Sequence, residues 1–138
     1  MTEINIVGNY KESGPTKQKI KDAVEAVFLE INNSKLTIQN YSVNIAFVSD
    51  AEIQAKNKEY RHKDAPTDVL SFDYDDEGDI LLSVAQIEEL KEKDETLYDA
   101  ILKTIIHGVL HLLGFDHENE SDRAIMNEKE IKVFESLK

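Results

Sequence analysis

Cysteine is absent from the 138 residues, which removes disulfide frameworks, thiolate metal ligation and a cysteine nucleophile together, and suits a reducing compartment. Long apolar runs are absent too: none approaches the roughly 20 residues a membrane-spanning helix needs. The start, Met1-Thr2-Glu3-Ile4-Asn5, has neither the basic region nor the apolar stretch of a secretory signal. Cytoplasmic residence with no membrane partner is therefore expected. Positive charge is scarce, with 16 Lys and Arg against 28 Asp and Glu and a formal net charge of -12. A body of that sign repels polyanions over a Debye length of about 10 Å at 0.1 M salt, so a polyanionic substrate needs a local positive site. Internal repeats, low-complexity tracts and linkers are also missing, and at this length one domain, residues 1–138, is expected.

What is present reads as alternating strands and helices. Ile4 and Ile6 alternate with polar neighbours as a short first strand, and a turn follows between Gly8 and Pro15. Thr16 is placed to cap a helix of about four turns in which Ile20, Val24, Val27, Phe28 and Ile31 share one face. Val43, Ile45 and Phe47 alternate as a strand, and the Ser49/Glu52 capping box opens a helix running to about Tyr60. Pro66 forces Ala65 out of helical geometry, so Arg61 to Thr67 is a loop. Val69 to Tyr74 and Asp79 to Val84 read as a strand pair joined by the turn Asp75-Asp76-Glu77-Gly78. A helix from Val84 to Lys93 follows, then a second capping box, Thr96 with Asp99, before a helix that Gly114 ends. A last helix, Ser121 to Leu137, is expected to turn Ile125, Met126, Val133, Phe134 and Leu137 inward. The implied fold is α+β, one domain with a sheet of about four strands packed with about five helices.

Three of the four histidines fall in one stretch, His107-Gly-Val-Leu-His111-Leu-Leu-Gly114-Phe-Asp-His117. Residues four apart on a helix share a face, with Cβ atoms about 5–6 Å apart, so His107 and His111 reach one ion. Gly114 suits the left-handed conformation that ends a helix and lets the chain turn His117 in as a third ligand. The metal site is thus expected on the His107–His111 helix and the turn after it. This H-x3-H-x2-G-x2-H spacing is that of metzincin metalloproteases, except that Gly108 stands where those enzymes carry their general-base glutamate. Three imidazoles leave a coordination position open and the ion's full charge available to an anion such as a phosphodiester. Zinc, one ion, is the first choice, with nickel, cobalt or copper also compatible. A structural site closed by Asp116 or another carboxylate, or histidines that merely pack, are the alternatives.

Lys56-Asn57-Lys58-Glu59-Tyr60-Arg61-His62-Lys63 holds four basic residues against one acid. A solvated helix end, where cations favour the macrodipole, explains this equally well. Arg61 differs from the lysines because a planar guanidinium grips phosphate with two donors. Lys63 is a candidate substrate contact, and His62, without companions, reads as a surface residue.

Asn57-Lys-Glu-Tyr60-Arg61-His-Lys63-Asp64-Ala-Pro66-Thr67-Asp68-Val69-Leu70-Ser71-Phe72, then Gly78-Asp79-Ile80, then His107-Gly108-x-Leu110-His111-Leu112-x-Gly114-x-Asp116-His117 strongly resemble the YbeY family of bacterial rRNA-maturation endoribonucleases. The resemblance is anchored from Asn57 to His117, and Phe115 and His62 depart from the Tyr and Gly common there. It implies a metal-dependent α+β fold, zinc on His107, His111 and His117, and a catalytic Arg61. It also implies cleavage of single-stranded RNA, maturation of ribosomal RNA including the 16S 3′ end, ribosome quality control, and partners on the ribosome or among small-subunit assembly proteins. On chemical grounds the metal would polarise a non-bridging phosphate oxygen and activate water, while Arg61 neutralises developing charge. The attacking oxygen is either that water's or the RNA 2′-hydroxyl, with Asp116 or His62 assisting proton transfer or orienting His117. Two rival readings are a non-catalytic, metal-stabilised ribosome-assembly adaptor and a metallohydrolase of another substrate.

Overall fold

The structure, a computed structural model, describes residues 3–8, 10, 14–32, 41–116 and 118–138. Its elements run β1 (Glu3–Val7), α1 (Lys17–Asn32), β2 (Ser42–Phe47), α2 (Asp50–Arg61), β3 (Val69–Asp73), β4 (Glu77–Leu82), α3 (Val84–Leu90), α4 (Leu97–Leu112) and α5 (Glu120–Ser136). The expected α+β class, with one four-stranded sheet and five helices among the described residues, is what forms. No helix among those residues is long and apolar enough to cross a membrane.

The sheet order is β1-β2-β4-β3; β1, β2 and β4 are parallel and β3 runs antiparallel at the edge. Strand alternation sorts the side chains. Val43, Ile45 and Phe47 of β2 and Ile80 and Leu82 of β4 are buried on one face, and the register places Val69 and Ser71 of β3 on that same face, opposite Leu82 and Ile80. Helices α1 and α4 cover it, and α3 and α5 pack outside on α4, which thus touches the sheet and the other three. Central placement explains why α4 buries residues around most of its circumference, including Ile101, Leu102, Ile105, Ile106, Val109 and Leu110, rather than the single stripe expected of a surface helix. Helix α2 lies apart, against β3, where Leu70 and Ile53 are buried and Tyr60 meets Phe72 at 5.1 Å between ring centroids.

The helix starts follow their sequence signals. Thr16 Oγ1 accepts from the Lys19 amide at 3.2 Å, and Ser49 and Glu52 form both halves of a capping box. At Thr96 only the first half forms, the Asp99 amide donating to Thr96 Oγ1 at 3.1 Å; an aspartate is one methylene shorter than the glutamate such a box uses. Buried Ser83 caps α3 and donates to Asp50 Oδ1 at 2.5 Å, tying the start of α3 to that of α2.

Three expectations change. Helix α3 stops at Leu90, short of Lys93. Ile125 is half exposed instead of inward, because α5 buries the stripe through Met126 and Val133, and Ile125 lies about 100° round the helix from Met126. The β3–β4 turn is tighter than expected: the Tyr74 amide donates to the Glu77 carbonyl at 2.8 Å, Asp75 takes φ 76°, and Gly78 belongs to β4.

Gly78 serves packing instead of turning. A Cβ there would lie 2.7 and 2.8 Å from the two methyls of Leu112 and against the Tyr41 hydroxyl. That hydroxyl donates to Asp73 Oδ1 at 2.9 Å, and burial, then this bond and the neighbouring acids, push the phenol well above its ordinary range. Gly78→Ala should therefore force the end of α4 off the sheet and cost about 1–3 kcal/mol, a fall in melting temperature of roughly 3–8 °C for a chain of this size. Thermal denaturation of the variant beside wild type checks it; an unchanged midpoint would mean that Leu112 has room to move.

Candidate metal centre and active site

The last turns of α4 carry His107 and His111 on one face, and their rings meet edge-on with centroids 4.6 Å apart. Their Nε2 atoms are 3.0 Å apart. Nitrogen ligands about 2.0–2.1 Å from a tetrahedral zinc stand roughly 3.3 Å from each other, so the two lone pairs are spaced for one ion. The other ring nitrogen of His107, Nδ1, is 2.5 Å from Oε1 of Glu130 on α5.

Helix α4 then ends as Gly114 foretold. The Gly114 amide donates to the His111 carbonyl at 3.1 Å and the Phe115 amide to the Leu110 carbonyl at 3.0 Å, with Gly114 at φ 95°. This is the Schellman pairing, which turns the chain sharply. His117, the expected third ligand, lies outside the described residues, and among the described residues no group of three or more His, Cys, Asp or Glu is gathered closely enough to hold a metal.

Gly108 faces the sheet. A Cβ there would meet Ile80, Ser71 and Val69 at 3.2–3.3 Å, and Ser71 Oγ donates to the Gly108 carbonyl at 3.0 Å. A side chain at this position would press on Ile80, Ser71 and Val69, so Gly108 suits the close approach of α4 to the sheet and supplies no base of its own.

The opposite wall comes from the end of α2. Arg61 is its last residue, and His62 caps it in the left-handed conformation, φ 60° and ψ 30°. Buried Asn57 secures the chain beyond: its Nδ2 donates to the Ala65 carbonyl at 2.9 Å, and its carbonyl accepts from the Lys63 amide at 3.3 Å. The result is a cavity of about 540 Å³ that Arg61, Thr67, Asp68, Ser71, His107 and His111 line, with Asp116 and Glu118 at the turn after α4. Arg61 and the two histidines, 46 residues apart at the nearest, thus share one cavity. Lys63 is exposed and does not line it, while Lys56 and Lys58 pair with Glu59 at 4.0 Å and Asp64 at 3.9 Å. The basic segment therefore contributes one guanidinium, facing three carboxylates, Asp68, Asp116 and Glu118. Such a lining disfavours a phosphodiester unless a cation is also bound, which agrees with the paired imidazoles.

The family model described as endoribonuclease YbeY matches residues 6–138. This chain belongs to the YbeY family. Curated relatives bearing the name endoribonuclease YbeY include one from Sulfurihydrogenibium sp., 38% identical over 88% of this chain and 84% of its own length. Another, from Carboxydothermus hydrogenoformans, is 46% identical over 69% of this chain and 71% of its own. Among solved structures, the solution structure of TM1509 from Thermotoga maritima matches with a TM-score of 0.63 at 33% identity, covering 97% of this chain and 88% of that one. Membership makes sense of the His62 departure, since the glycine common in the YbeY family suits a left-handed cap.

Sequence reasoning left three neighbours of the site without a role. Asp68 and Asn57 stood in the quoted motif, where Asn57's burial has no local signal. Glu130 is 23 residues from His107, and nothing local connects them.

Because a non-glycine residue in the left-handed region costs roughly 1 kcal/mol, His62→Gly should raise the melting temperature by about 2–4 °C. A drop would mean that the imidazole contributes more to the fold than its cap geometry costs.

Proposed function

We propose that this chain is a zinc-dependent, single-strand-specific endoribonuclease that matures ribosomal RNA, notably the 16S 3′ end, and acts in ribosome quality control. The carrying observation is that Arg61 and the His107–His111 pair line one cavity in a chain of the YbeY family. All 138 residues serve as one catalytic domain in the cytoplasm, and ribosomal or small-subunit assembly proteins deliver the substrate.

His107, His111 and His117 are the proposed metal ligands, the first two on the last turns of α4. The 3.0 Å spacing of the first two and their uncharged donor atoms fit a divalent ion. When bound, such an ion supplies a Lewis acid for a non-bridging phosphate oxygen and makes a water more acidic. Arg61, anchored at the end of α2, binds the same phosphate through two parallel N–H donors and neutralises the charge that grows on its oxygens in the transition state. Asp68 and Asp116 offer carboxylate oxygens that accept a proton from the attacking hydroxyl, the part Gly108 is unable to play. Lys63, outside the cavity lining, contacts RNA beyond the scissile phosphate.

His111→Ala should lose the metal, measured by metal analysis of the purified protein, together with cleavage of a single-stranded rRNA precursor. Arg61→Ala should keep the metal and lose about 10²–10³ in turnover. A fully active His111→Ala removes the metal reading, and a metal-depleted Arg61→Ala makes Arg61 structural. Equal cleavage of duplex RNA removes the single-strand preference.

A further inference from the structure

We propose that Glu130 is a positioning residue that sets the tautomer and orientation of His107 and so tunes metal affinity at the centre. The proposal rests on the metal-binding reading above.

Helix α5 buries a single stripe. Met126 and Val133, both buried, sit four residues before and three after Glu130, and that spacing places all three on one face. Leu137, four residues past Val133, packs on the core as well. Glu130 therefore interrupts a stripe that packing alone would fill with an apolar side chain. A carboxylate on such a stripe is costly unless it is paired, and its partner is His107 Nδ1, 2.5 Å away. Lys103 lines the same small hollow as Glu130 and His107, but it is ion-paired with Glu95 at 2.7 Å. The helix itself is held elsewhere: Lys129 and Lys132 pair with Glu30 of α1 at 3.4 and 3.8 Å.

The consequence for His107 is chemical. A neutral imidazole carries one proton, and the hydrogen bond made by one nitrogen decides which nitrogen is left bare. An Nδ1–H donating to Glu130 leaves Nε2 as the unprotonated nitrogen, and Nε2 is the atom facing His111 Nε2 at 3.0 Å. Without the carboxylate, the proton is free to sit on Nε2 and the ring free to rotate. Carboxylate partners of metal-bound histidines characteristically change affinity by about 10–100-fold when removed.

The test compares wild type, Glu130→Ala, Glu130→Gln and Lys129→Met, each first assayed for melting temperature. Zinc affinity is measured by competition with a chromophoric chelator, and the His107 tautomer by ¹⁵N-edited NMR of metal-free protein. Wild type should carry the His107 proton on Nδ1. Glu130→Ala should bind zinc about 10–100-fold more weakly and lose that signature, while Glu130→Gln, whose carbonyl oxygen still accepts from Nδ1, should recover part of the affinity. Lys129→Met, which breaks another contact of α5, should lower stability without moving affinity or tautomer. Unchanged affinity or an unchanged tautomer in Glu130→Ala overturns the proposal, as does an equal loss of affinity in Lys129→Met. Wild type that binds no zinc while holding Nδ1–H refutes the metal reading itself, and the assignment to metal positioning falls with it.

Discussion

The site depends on how closely α4 approaches the sheet. At Gly108 the helix backbone comes near enough for Ser71 Oγ to bond its carbonyl at 3.0 Å, and at Gly78 the strand yields the space that Leu112 fills. Both glycines remove a Cβ at the interface, and interiors are packed too tightly to absorb one without displacement. The histidines ride on that same stretch of helix, one residue before Gly108 and one before Leu112. Their position relative to β3, and hence to the Arg61 end of α2, is set by a contact in which neither takes part.

A second constraint acts from the far side. Helix α5 closes over α4 with apolar residues at Met126 and Val133 and a carboxylate between them. The centre is thus gripped by three elements with separate tasks. The sheet fixes the height of α4, α2 brings the guanidinium, and α5 sets the ring that faces His111. A precise site on a small domain needs supporting groups of this kind, because a first layer of ligands left to its own rotamers is too loose to hold a metal well.

Much of this was legible in the sequence where the cause is local. Caps at Thr16 and Ser49, the Gly114 terminator and the i, i+4 histidine pair are each decided within a few residues, and each forms as read. Illegible features depend on partners far along the chain. Gly78 looks like a turn residue until Leu112, 34 residues later, is found against it. Glu130 looks like one more acid on a charged helix until His107 is found at its carboxylate. Ile125 looks like core because it is apolar, but only one stripe of α5 meets α4, and position 125 is off it. The basic segment misled in a subtler way: Lys56 and Lys58 pair with Glu59 and Asp64 and Lys63 lies outside the lining, leaving Arg61 as the segment's one cation at the cavity.

The acidic body and its anionic substrate are reconciled only at short range. One guanidinium against Asp68, Asp116 and Glu118 does not make a positive cavity, and the Asp73–Asp79 stretch adds five carboxylates at the far end of β3. A divalent ion bound as proposed would bring the cavity roughly to neutrality, which permits contact at hydrogen-bond range but creates no attractive field beyond a Debye length of about 8–10 Å. Association steered by long-range charge, which speeds many nucleic-acid enzymes, is therefore unavailable to this fold. Short-range recognition works only after the scissile phosphate is already close. The proposal that ribosome-borne proteins present the RNA supplies that approach, and it turns the net negative charge into a source of selectivity, since RNA that is not presented is repelled.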